Sequence, residues 1–236
     1  MAVDDLPLPV VNLLNVIGVP WPYLDEDTLV RFAGLTRAFA EAVENTHADA
    51  TRAVAALADA HQGASTEAML SGWHALSSKH VHEVVEACHL LAEALDVAAG
   101  YIVAQKAEAI AVLIGMAAAF VADQAAAVGT FGLAEAAVPL IIEGAERLMK
   151  SLVMDLEQYV VDRVVETAAK PLLAKVEAAM AGLDWSGSGG PEGHAGQQIS
   201  VDPMAARTQL AILRGTAEAM RGHGRQFAAA VAGLGF

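Results

Sequence analysis

From Glu67 to Val128, small and apolar residues return at alternating steps of three and four with almost no interruption. Leu70, Trp73, Ser77, Val81, Val84, Cys88, Leu91, Leu95, Ala98, Ile102, Ala109, Leu113, Met116 and Phe120 lie on or near one stripe. That spacing is a helix seam and excludes a strand reading. A helix over this range would be a rod on the order of 90 Å long at about 1.5 Å per residue, which needs other helices laid along it. The expectation is an all-α chain.

Two further long helices supply that cover. The first is expected from Asp25–Asp27, whose acids favour a positive dipole end, to Gln62–Gly63, with a seam of Leu29, Phe32, Phe39, Val43, Thr46, Ala50, Ala53, Leu57 and Ala60. Gly63 closes it and Ser65 or Thr66 opens the next, so the two form an antiparallel hairpin. Gly72 and Gly100 are candidate bends in the second helix. The chain turns at Gly129–Gly132, and a third helix is expected to about Gly182, with Pro139 in its first turn and Pro171 kinking or splitting it. The lengths predict an elongated, staggered bundle. Residues 1–23, with four prolines, are expected to be an extended arm with at most one short turn, laid on the body and anchored by Trp21. The bundle proper spans 24–183. Residues 184–200, rich in Gly and Ser, have linker composition. Residues 201–236 form a fourth helix, capped by Asp202 and started by Pro203, that packs back or begins a further module.

Charge and cysteine usage narrow the function. Net charge is −14, from 14 Lys and Arg against 28 Asp and Glu, so the chain as a whole repels phosphate backbones and nucleic acid is not an expected partner. The single Cys88 excludes an internal disulfide and a Cys-rich zinc site. Met1–Leu6 lacks the basic region and apolar core of a secretory signal, so export is expected by another route. The charge-free run Ala109–Ala122 is short of the roughly twenty residues of a membrane span, which favours core helix. With the apolar run after Gln124, it also has the form of two arms of a short inserting hairpin.

No enzyme signature is present. His82, Glu86 and His89 share one helix face beside Cys88, but the order His-Glu-x-x-His is absent and no further ligand follows, so a polar face is expected and no metal. There is no Gly-x-Ser-x-Gly elbow, and Gly187-Ser188-Gly189-Gly190 lacks the Lys-Ser or Lys-Thr and the preceding strand of a phosphate loop. No catalytic residue and no cofactor is expected. Tyr23–Asp27 fits Tyr-x-x-x-Asp, the form of a type VII export signal, but precedes the first helix instead of following the second.

Several stretches carry a resemblance: Gly63 to Trp73, then Leu91–Ala99, Tyr101–Lys106 and Phe120–Gln124, Thr130-Phe131-Gly132-Leu133-Ala134-Glu135-Ala136-Ala137, and Leu156–Tyr159. The chain resembles the WXG-like N-terminal domains of actinobacterial polymorphic toxins, including that of the mycobacterial channel-and-necrotising-toxin protein. The motif departs at one point, reading Trp73-His74-Ala75 where Trp-x-Gly is the pattern, with Gly72 before the Trp. The resemblance implies a helical hairpin core and export through a type VII (ESX-like) secretion system. It also implies a role as the trafficking half of a larger effector. The implied partners are a secretion-system component or a small helical WXG-like protein, with a C-terminal toxin as cargo. Self-association through an exposed seam and membrane insertion are the competing expectations. Gly72 and Trp73 are the expected hairpin anchor, and Val112, Leu113, Met116, Phe120, Phe131 and Leu133 the expected interaction or insertion segment.

Overall fold

A computed structural model describes residues 6–22, 24–62, 64–74, 77, 79–129, 138–181 and 200–235. The chain is all-α. Its elements run α1 (Leu8–Ile17), α2 (Glu26–Asp59), β1 (His61–Gln62), α3 (Ala64–Trp73), α4 (Lys79–Gly129), α5 (Val138–Val160), a π-helical segment (Val161–Ala169), α6 (Lys170–Ala181), β2 (Ser200–Val201) and α7 (Pro203–Ala232). The two strands are two-residue pieces paired antiparallel, His61 opposite Val201 and Gln62 opposite Ser200.

One expectation is corrected. The arm holds a ten-residue helix, α1. Its prolines delimit the helix instead of forbidding it: Pro7 is the N-cap, Pro9 sits where the helix needs no N–H donor, and Gly18 closes the end at φ 69°, its N–H bonded to the Leu14 carbonyl. The second helix is described as α3 to Trp73 and as α4 from Lys79, 51 residues and about 77 Å long, with His74 and Ser77 between them in π-helical geometry. Gly100 lies inside α4 without interrupting it. Pro171, expected to kink or split the third helix, does alter it: it has no N–H to donate and its ring opposes the carbonyl four residues back, and the turns before it widen to π geometry over Val161–Ala169 before α6 begins at Lys170. Gly63, residues 130–137 with most of the turn expected at 129–132, and the linker expected over 184–200 apart from Ser200 lie outside the described residues.

The chain forms two compact units, Met1–Val30 with Ala94–Glu166, and Arg31–Glu93 with Thr167–Phe236. In the first, Val10, Leu13 and Leu14 of α1, Trp21, Leu95, Ile102 and Leu113 of α4, and Met149, Leu152 and Leu156 of α5 are buried. Tyr101 of α4 stacks on Tyr159 of α5, ring centroids 3.7 Å apart. In the second unit, Ala40, Val43, Val85 and Cys88 form a cluster closed by Phe39, Val81, Val84, Leu172 and Met220. Helix α7 folds back here. Its Phe227 stacks on Phe39 at 4.8 Å, and His223 Nε2 shares a 2.9 Å hydrogen bond with Thr46 Oγ1 of α2. Asp202 caps α7 by accepting from the backbone N–H of Met204 and Ala205.

Candidate interaction surfaces

Trp73 ends α3 and is tied to α2 in two ways. Its indole N–H donates to Thr51 Oγ1 at 3.1 Å, and its rings stack on His47 at 5.6 Å with planes 8° apart. His47 in turn shares a 2.9 Å hydrogen bond between Nε2 and Ser77 Oγ. These contacts hold Trp73 and Ser77 against α2. Burial pushes the His47 pKa below 6.5, so the stacked ring is neutral near pH 7. Trp73 therefore packs against α2. Gly72, half-buried, has nothing within 4 Å of a Cβ built on it, so no close approach requires glycine there.

The segment singled out on α4 is divided by the fold. Leu113 is fully buried, Met116 and Phe120 are half-buried, and Val112 faces outward at 41% exposure. Met116 packs over Gly144 of α5, its Cε 3.4 Å from where a Cβ would stand. Phe131 and Leu133 lie outside the described residues.

Two features were not legible in advance. Lys106 sits on the buried seam between Ile102 and Ala109 and is 1% exposed. Its ammonium donates to the Leu24 carbonyl and to Glu26 Oε2 at 2.8 Å, in the first turn of α2. Burial pulls its pKa below 10.5, and Asp25 and Asp27 oppose that shift. Asp25 also caps α2, accepting from the Asp27 N–H at 3.0 Å and the Thr28 hydroxyl at 2.6 Å. The available signal was a lone basic residue interrupting the apolar seam.

The second feature is a stripe on the outer side of α4. Val97, Gly100, Ala104, Ala107, Ala111, Ile114, Ala118, Val121 and Ala125 are all exposed, and their spacing alternates strictly between three and four. Every first position of the repeat from Ala104 on is alanine. A 3.5-residue period with small side chains is the pattern that lets a second helix lie close along the first. Glu108 is the only exposed charged side chain on α4 between Val97 and Ala126.

His82 and Glu86 face each other at 3.5 Å on the surface, His89 is exposed, and no group of three His, Cys, Asp or Glu able to hold a metal occurs among the described residues. Cys88 is buried in the second unit, and desolvation raises its thiol pKa to about 11. That is an inert core thiol.

With this geometry in place, a sequence model of the WXG100-like domain matches residues 5–143, which is more than half of the chain. The chain belongs to the WXG100-like domain family. The match takes in α1 to α4 and the first residues of α5, including the Trp73 anchor, Lys106 and the exposed α4 stripe. Members of this family work in helical pairs or oligomers and are associated with type VII secretion. Comparison with curated proteins and with solved structures returned no match.

Proposed function

We propose that this WXG100-like chain is a non-enzymatic delivery module of a type VII (ESX-like) secreted effector or toxin. It acts by helix–helix docking onto a small helical partner or a component of the secretion machinery. The observation that supports the reading is the exposed stripe of α4, four heptads of small and β-branched residues left uncovered in a family that pairs through helices. Alanine at one seam position and glycine, alanine or a β-branched residue at the other suit close backbone approach. The test is export. Ala111→Arg with Ala118→Arg places two cations on the stripe without touching the core, so the melting transition stays put while export to the medium falls. Equal export of the double variant, or export from a host whose type VII ATPase is deleted, overturns the reading.

A membrane-inserting role is the second reading, favoured by one observation. His80–Ala126 lies within a helix long and apolar enough to cross a membrane, and only 17% of its most apolar window is buried. That reading predicts release of dye from vesicles, abolished by Val112→Asp or Ile114→Asp. Light scattering behind a sizing column, with and without vesicles, separates the two. The delivery reading expects an elution unchanged by lipid, and insertion expects partition into the vesicle fraction.

A further inference from the structure

Helix α7 carries a charge pattern at odds with the rest of the chain. Arg207, Arg214 and Arg221 recur every seven residues and Arg225 follows one turn later, so all four fall within about 40° of one helix face at 100° per residue. All four are exposed, and none has a hydrogen bond or ion pair among the described residues. Four arginines against the single Glu218 leave Pro203–Ala232 at +3 in a chain of net −14, so the remaining residues together carry −17. The other side of α7 is held down by Phe227, His223 and Met220, which makes the arginine face a fixed ridge about 27 Å long.

We propose that this ridge docks an acidic helix of a partner protein whose carboxylates repeat every seven residues. Charge complementarity selects an anion. The geometry selects its form: Arg207, Arg214 and Arg221 stand about 10.5 Å apart in a line one side chain wide, with Arg225 about 6 Å further on, and the longer step is the spacing that a helix lying alongside offers at positions seven apart. Guanidinium groups grip carboxylates in bidentate fashion, and Leu210, exposed between Arg207 and Arg214, adds apolar contact beside them. A bilayer or a nucleic-acid duplex presents phosphate over a plane or groove much wider than this line and would meet the −17 of the remaining chain. A short acidic helix keeps its charge within the ridge. This surface is separate from the α4 stripe, and variants of the stripe leave it intact.

The test uses the full chain and a labelled, alanine-based helical peptide of roughly three heptads with Glu at every seventh position. Its isomer with the same glutamates dispersed around the helix is the control, and phosphatidylserine vesicles and duplex DNA are competitors. The expected result is tighter binding of the patterned peptide than of its isomer, weakening as salt rises. Arg214→Glu with Arg221→Glu should lower affinity at least about tenfold, whereas Arg214→Lys with Arg221→Lys should lower it by less, since the lysine pair keeps the charge but loses the bidentate grip. These side chains touch nothing in the core, so circular dichroism and the melting transition should be unchanged in both variants. Failure to bind, equal binding of the isomer, indifference to the charge reversal, or displacement of the peptide by vesicles or DNA would each overturn the proposal.

Discussion

Replacing Lys106 by methionine isolates what holds α4 to the start of α2. The ammonium is 1% exposed and donates to the Glu26 carboxylate at 2.8 Å and to the Leu24 carbonyl. Methionine fills nearly the same volume, so little of the loss comes from a cavity. The loss comes from a 94%-buried carboxylate stripped of its cation and a carbonyl stripped of a donor. Removing one partner of a buried pair costs about 3–5 kcal/mol. Lys106→Met should therefore lower the free energy of unfolding by about that much, read from urea denaturation with the slope unchanged. Glu26→Gln closes a double-mutant cycle. The two substitutions together should cost less than the sum of the single losses, because the second partner no longer bears an uncompensated charge. A loss below about 1 kcal/mol for Lys106→Met, or strict additivity in the cycle, would show that the pair behaves like a solvated surface bridge and would refute the argument.

Other outcomes follow from the same contacts. Gly72→Ala, at a helical site where a Cβ meets nothing, should be neutral or stabilise by up to about 1 kcal/mol in thermal denaturation, and a clear loss would mean the glycine is needed for packing. The His47 pKa lies below 6.5, so the native state binds fewer protons than the unfolded one as pH falls through and below 6.5. The denaturation midpoint should therefore drop on acidification from pH 7 to 5, and the part due to His47 should vanish in His47→Gln. Cys88 runs the opposite way. With the thiol raised from 9.0 to about 11, the native state holds its proton longer, so stability is lost as pH climbs from 9 to 11, by about 3 kcal/mol. Native protein should react slowly with a thiol reagent at pH 8, and Cys88→Ala should remove the alkaline loss.

The sequence by itself determined the long helices and the residues that stabilise their starts. The 3–4 spacing of Leu91, Leu95, Ala98, Ile102, Ala109 and Leu113 marked a side of α4 that is indeed buried. Asp25–Asp27 marked the start of α2, and Asp202-Pro203 that of α7. These are local signals, carried by periodicity and by backbone groups within a few residues. The Trp73 anchor was legible as a large apolar side chain on the seam, but its partners Thr51 and His47 lie on α2 and only tertiary packing names them.

Tertiary structure alone decided three things. Between Val97 and Ala126, α4 is apolar nearly all round, so two interleaved 3–4 repeats coexist and periodicity cannot say which one is covered. Lys106 reads in sequence as a solvated charge, and its burial depends on Glu26 and Leu24, some eighty residues earlier in the chain, supplying acceptors at that depth. The return of α7 to α2, through Phe227 on Phe39 and His223 on Thr46, leaves its arginines facing outward. A sequence records what a helix can bury. Which face it buries depends on the helices that arrive to cover it.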